Sequence, residues 1–238
     1  MQMQATKTVG ELVSANPAAA RVFEKFGIDY CCGGNKSFAE ACLAAKVSEE
    51  DVAAALEKPE PKCDERDWQK ASLAELADYI VSKHHGFTKE EIQRLEPLIS
   101  KVVSVHSQNH QELRQIQRLF GSLADEMTMH MMKEEHMLFP YLKDMEEAAR
   151  HHSRLAPPMF GTVRNPVRMM MEEHDSSGQV LHKMREITNG YVTPNDACVS
   201  YQTLYRALEA FEQDLHQHIH LENNILFPRA VQLEAEAQ

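Results

Sequence analysis

One pattern occurs twice in this chain. His130-Met-Met-Lys-Glu134 continues to Leu138-Phe-Pro140, and His218-Ile-His-Leu-Glu222 continues to Leu226-Phe-Pro228, so both copies spell His-x₃-Glu-x₃-Leu-Phe-Pro, 88 residues apart. On an α-helix residues i and i+4 share a face, about 5–6 Å apart at Cβ, so each copy aims an imidazole and a carboxylate at the same place. The flanking residues keep helical spacing. Ile116, Phe120, Leu123, Met127, His130, Glu134, Met137 and Tyr141 make one stripe, and Leu204, Leu208, Phe211, Leu215, His218, Glu222 and Ile225 make another. A third segment carries Val167, Met170, Met171, His174, Gly178 and Leu181. Ionisable groups thus interrupt apolar stripes at one level, where burial is costly unless they are paired or bound.

The rest of the chain reads as helix, without alternating β-branched runs. Thr8-Val-Gly-Glu11 and Ser72-Leu-Ala-Glu75 have capping-box spacing, and Ser48 to Asp51 marks another helix start. Gly27 to Asn35 holds the adjacent Cys31 and Cys32 at a glycine-rich bend. From Glu57 to Asp67 the chain is charged, carries two prolines and has almost no apolar residue, which predicts a linker. The expected organisation is a small helical N-terminal domain over 1–58, a linker over 59–67 and a helical domain over 68–238. Four long segments are expected there, from about Ser72 to His106, Gln108 to Glu147, Asn165 to Asn189 and Thr193 to Val231, with a bend in the first near Gly86 or Pro97. Short connections favour an all-α, up-down-up-down four-helix bundle.

Composition narrows the function. The net charge of −11, without a Lys/Arg cluster, disfavours nucleic acid and anionic membranes as partners. No stretch approaches the roughly 18–20 apolar residues of a membrane span, and Met1 to Gly10 has neither a basic nor an apolar leader region, so a cytoplasmic protein is expected. The five cysteines, Cys31, Cys32, Cys42, Cys63 and Cys198, are odd in number and scattered, which suits reduced thiols.

Histidine placement carries the chemistry. A single core histidine is ordinarily a hydrogen-bonded packing residue. Here, however, His174 follows His85 by 89 residues, matching the 88-residue repeat, so the repeated unit is a helix pair that supplies His and then His-x₃-Glu. Four imidazoles and two carboxylates, without thiolate, suit a dinuclear iron site with an oxo or hydroxo bridge and an open position for a small molecule. Spacing leaves the first ligand open, since Leu73-Ala77-Val81-His85 and Leu76-Ile80-His84 are both admissible inward stripes. The other histidines, among them His84, His106, His110, His136, His151, His152, His182, His216 and His220, are expected at the surface or rim. Glu126 and Asp214, each four residues before a ligand histidine, are candidate acceptors for the imidazoles.

The chain resembles the RIC (YtfE/ScdA) family of bacterial di-iron proteins that repair iron centres. The resemblance rests on Asp29-Tyr-Cys-Cys-Gly-Gly34, Asp67-Trp68, Leu73-Ala-Glu75, His130-Met-Met-Lys-Glu-Glu135, Glu173-His-Asp175, His218, Leu221-Glu-Asn-Asn224 and Leu226-Phe-Pro-Arg229. It implies a hemerythrin-like bundle with two non-haem irons, and alignment on Leu73-Ala-Glu75 makes His85 the first ligand beside His130, Glu134, His174, His218 and Glu222. It further implies repair of iron–sulfur clusters damaged by nitric oxide or peroxide, with damaged or apo iron–sulfur proteins as clients, nitric oxide or oxygen as small-molecule partners, and an electron donor. Cys31 and Cys32 match the family's cysteine pair, a candidate iron relay or redox pair. Iron supply and reduction of nitric oxide to nitrous oxide are both activities the family suggests, and a hemerythrin-like oxygen or nitric oxide carrier is a third reading.

Overall fold

A computed structural model describes residues 7–57 and 66–236, apart from Arg154 and Pro157. Most of the expected linker, 59–65, lies outside the described residues, as does Cys63. Among the described residues the fold is all-α, with a single isolated bridge between Thr8 and Ser37.

Four short helices come first: α1 (Val9–Ala15), α2 (Ala19–Lys25), α3 (Phe38–Ala45) and α4 (Glu49–Leu56). Capping boxes start α1 at Thr8 and α3 at Ser37, and the Ser48 hydroxyl caps α4. Each supplies an acceptor to backbone donors that no helical turn can satisfy. Val9, Val13, Phe23, Ile28, Tyr30, Phe38, Cys42 and Val52 close over a common core. Between α2 and α3, Gly27 adopts φ +66, and the Asp29 carboxylate accepts the Cys31 and Gly33 N–H groups at 3.0 and 2.9 Å. The adjacent cysteines therefore sit on a locally tied bend.

The long segments are α5 (Leu73–Tyr79), α6 (Gly86–His106), α7 (Glu112–Lys133), α8 (Phe139–Arg150), α9 (Arg164–Ile187), α10 (Val199–Leu221) and α11 (Phe227–Glu236). Single π-helical turns at Ile80–His85, Glu134–Leu138 and Glu222–Leu226 join α5 to α6, α7 to α8 and α10 to α11. In each, an N–H reaches five residues back: Gly86 to Val81, Phe139 to Glu134 and Phe227 to Glu222. Such turns insert one extra residue into an α-helix and concentrate at functional sites. The insertion also corrects the expected stripe of the second segment. Met137 is 58% exposed, whereas Leu138, Phe139 and Leu142 are buried, because the extra residue rotates everything after Glu134. Pro97 lies inside α6, and the departure from α-helix in this segment comes at the π-turn before Gly86. In α9, Met170 is buried while Met171 is turned outward.

The chain divides into two compact units. One comprises 79–140 and 168–215. Its four helical segments meet in a ring: Ser100 with Gln117 and His85 with Glu135, His130 with His174 and Met127 with Ser177, Arg185 with Glu212, and His84 with Asp214 and His106 with Tyr201. Wherever two such pairs join the same helices, residue numbers rise on one helix as they fall on the other, so neighbours are antiparallel and the bundle runs up-down-up-down. Phe120 packs edge-on against Phe211 in its core.

The other unit comprises residues up to 78, 141–167 and 216 onward. Glu146 accepts the Leu73 and Ala74 N–H groups at the start of α5, Arg229 donates to the Trp68 and Ala71 carbonyls, and Glu234 accepts from Val163. Asn224 lies close to Gly10 and Gly34 of the N-terminal helices.

Candidate metal centre

Each π-turn lies at a residue of the repeated pattern or its partner. The turn at Ile80–His85 buries both His84 and His85, at 1% and 0% exposure. Their roles differ. His85 Nε2 lies 3.4 Å from Glu134 Oε2, whereas His84 Nδ1 lies 3.0 Å from Asp214 Oδ1. A regular α-helix turns 100° per residue and would separate the two imidazoles; the widened turn keeps both inside.

Glu134 begins the next π-turn, and its Oε2 is also 3.2 Å from His130 Nε2. One buried carboxylate oxygen thus faces imidazoles from two helices. His174 Nε2 lies 3.0 Å from His130 Nε2. In the second copy of the repeat His218 Nε2 is 3.0 Å from Glu222 Oε1, and both residues are fully buried. Donor atoms of His130, Glu134 and His174 lie within 4.8 Å of one another, and His85 faces the same Glu134 oxygen.

The donor set tests the expected metal. Two fully buried carboxylates and closely opposed imidazole nitrogens would be unfavourable as an apolar core, since each charge or lone pair needs a counterpart. Nitrogen and oxygen donors without sulfur are the chemistry that iron accepts, so the residues fit.

Two outer carboxylates orient the imidazoles. Glu135 Oε1 is 2.8 Å from His85 Nδ1 and 2.6 Å from Lys89 Nζ. Glu173 Oε2 is 2.9 Å from His130 Nδ1, and its other oxygen accepts from Lys133. A hydrogen bond at Nδ1 would leave Nε2 as the nitrogen to face a metal and make it more basic. The His130 contact, reinforced by Lys133, holds the Glu173 carboxyl at about 2. Burial raises Glu135, yet Lys89 and His85 outweigh it and keep that carboxyl below the ordinary range.

Several expectations about individual residues are revised. His84 and His220, expected at the surface or rim, are buried. Asp214 serves His84, and Glu126 meets the hydroxyls of Ser122 and Ser176. Glu135 and Glu173 were legible only as neighbours of Glu134 and His174 in sequence.

His220 is buried because the N-terminal helices cover it. Tyr30 packs edge-on against its ring, and burial lowers its pKa to about 4, so it stays neutral. Asn224 Nδ2 donates to the Tyr30 and Cys31 carbonyls at 3.3 and 3.2 Å, and lies 3.1 Å from His220 Nδ1. The approach is close: a Cβ on Gly34 or Gly10 would lie 2.4 or 2.7 Å from Asn224 Oδ1. The Cys31 thiol donates toward Asp29, and its hydrogen bond with Cys32, followed by burial, pushes it well above the usual thiol range. Cys31 is buried and Cys32 half-buried.

The bundle and its buried donors are those of a recognised class. Residues 76–230 match the hemerythrin HHE cation binding domain, and the chain belongs to that family. Residues 5–60 match ScdA_N, a domain described as of unknown function. Relatives include proteins named iron-sulfur cluster repair protein YtfE. Those of Escherichia coli O17:K52:H18 and Shigella boydii serotype 4 are each 33% identical over 223 residues, covering 94% of this chain and 96% of the relative.

Proposed function

We propose that this protein holds two non-haem irons between His85, His130, Glu134, His174, His218 and Glu222, and that it supplies iron to iron–sulfur clusters damaged by nitrosative or oxidative stress. The observation that carries the reading is the pair of buried His-x₃-Glu copies, His130 with Glu134 at 3.2 Å and His218 with Glu222 at 3.0 Å, which suits two metals with carboxylate ligands. The name of the relatives, which are matched over nearly their whole length, supports cluster repair as the process. When bound, iron would supply redox chemistry and a transferable ion. The chain's own residues set the rest: Glu135 and Glu173 hold the His85 and His130 protons at Nδ1, and Lys89 and Lys133 fix those carboxylates.

The domain reading follows: a Cys31/Cys32-bearing N-terminal domain over 1–58, a linker over 59–67 and the metal-holding domain over 68–238. The cysteine pair is assigned to iron relay or redox exchange with client apo-proteins. Asn224, which ties the Cys31 turn to the helical turn that begins at Glu222, supports that assignment. Among the described residues no helix is long and apolar enough to cross a membrane, in keeping with work in the cytoplasm.

A second reading is enzymatic. Iron held by these six residues would supply the redox chemistry by which two nitric oxide molecules, two electrons from a donor and two protons give nitrous oxide and water, a gain from proximity. One experiment separates the two: iron-loaded protein is mixed anaerobically with an apo iron–sulfur protein or with nitric oxide and a reductant. Iron transfer without gas turnover supports repair by iron supply, repeated nitrous oxide production supports the reductase, and a protein that binds no iron overturns both.

A further inference from the structure

About 30 Å along α6 from His85, given a rise of 1.5 Å per residue, a second set of metal-ligating side chains gathers at the other end of the bundle. His106 closes α6, and its Nε2 lies 3.2 Å from the sulfur of Cys198, just before α10. His110, in the turn between α6 and α7, has its Nε2 3.0 Å from Asp196 Oδ1 and its Nδ1 2.9 Å from Glu112 Oε1. The two imidazoles sit edge to face at 6.4 Å between centroids, and Tyr201 contacts both rings at 5.3 and 5.4 Å.

We infer that His106, His110, Asp196 and Cys198 form a second, separate metal site, taking one borderline divalent ion of the zinc class. The donor set of two nitrogens, one sulfur and one oxygen suits a tetrahedral ion, and the sulfur makes it unlike the buried nitrogen and oxygen donors of the other centre. With zinc–sulfur near 2.3 Å and zinc–nitrogen near 2.0–2.1 Å, tetrahedral geometry separates neighbouring donors by about 3.3–3.6 Å. The His106–Cys198 and His110–Asp196 pairs already stand within a few tenths of an ångström of that spacing. Glu112 on His110 Nδ1 is the carboxylate that typically orients a metal-bound imidazole.

The two pairs stand apart here: His106, His110, Asp196 and Cys198 do not bring three donors within 4.8 Å of one another. Convergence requires rotation of the Asp196 and Cys198 side chains. Cys198 is exposed and Asp196 is 57% exposed, so neither has packing to lose. Metal would replace the contacts that each histidine now makes, and would clamp the 106–110 turn to the segment leading into α10.

The test uses full-length, iron-loaded protein titrated with cobalt(II), which reports tetrahedral geometry by its visible bands and thiolate ligation by a near-ultraviolet charge-transfer band. The expected result is both bands saturating at one equivalent, reversed by zinc, with iron content unchanged. Cys198→Ser is expected to abolish the charge-transfer band and His106→Ala to weaken binding at least tenfold, while Cys31→Ser with Cys32→Ser leaves the bands intact. Cys198 is exposed, so its variant folds and the comparison stands. Bands that survive Cys198→Ser, that require Cys31 and Cys32, or that appear only as iron is displaced would overturn the site, as would no band at all. None of these outcomes bears on whether the buried centre serves cluster repair.

Discussion

The two copies of His-x₃-Glu-x₃-Leu-Phe-Pro fold alike and are dressed differently. In both, a π-turn opens at the glutamate, the following N–H reaches five residues back, and the α-helix resumes at Phe-Pro. Around the first copy the outer groups are charged: Glu173 with Lys133 on His130, and Glu135 with Lys89 nearby. Beside the second stand neutral groups: His220, Asn224 and the ring of Tyr30. The duplicated His-x₃-Glu motif therefore specifies a local geometry, and each copy takes its surroundings from whatever packs against it. The charged groups hold the imidazoles, whereas the neutral ones tie in the turn that carries Cys31.

The comparison breaks first if the copies are not equivalent at the metal. Glu134→Ala and Glu222→Ala are both expected to lose most bound iron, measured as iron per chain after anaerobic loading; a variant that keeps its full complement would remove that glutamate from the ligand set. Next in size, Glu173→Gln keeps a hydrogen-bond acceptor for His130 but loses the charge, and metal affinity should fall about 10–100-fold. Competition with a chelator reads this directly, and an unchanged affinity would show that Glu173 merely decorates the surface.

Smaller effects sharpen the neutral side. Asn224→Ala removes two hydrogen bonds to backbone carbonyls, each contributing about 0.5–1.5 kcal/mol, and should speed reaction of Cys31 with a thiol reagent while leaving iron in place. Gly34→Ala should give the same reactivity by forcing the Asn224 side chain away. If neither changes thiol reactivity, Asn224 does not control access to the pair. Smallest of all for the metal, His220→Ala should leave iron content unaltered, because its ring faces Tyr30 and Asn224.

Much of this arrangement was legible in residue order. Periodicity showed four long helices, and the repeat singled out His130, Glu134, His174, His218 and Glu222, with the family resemblance choosing His85 over His84; the structure buries all of them. The π-turns were harder, though not silent: Pro140 and Pro228 stand in long helical patterns that do not end there. A proline in a helix interior removes an i to i−4 hydrogen bond and clashes with the preceding turn. Placing it just where the helix restarts after a π-turn removes a donor whose ordinary partner is already displaced. The outer acceptors were illegible for another reason. Glu135 and Glu173 adjoin ligands in sequence yet act on histidines of a neighbouring helix, a relation set by helix pairing and not by spacing along one chain. His220 was misplaced because its cover comes from residues near position 30, and the pairing of His106 with Cys198 joins residues 92 apart.

The π-turns also impose a grammar on substitutions. Along α7 the positions that tolerate polar residues recur with the α-helical period up to Lys133; beyond Leu138 the same period resumes one residue late, so a rule learned on one side misassigns inside and outside on the other. Any variant library, fusion or graft that treats Glu112–Arg150 as one uninterrupted helix would turn Met137 inward and Phe139 outward, whereas Met137 is exposed and Phe139 buried. The same frameshift recurs at Glu222–Leu226, so the repeat transmits its own punctuation together with its ligands.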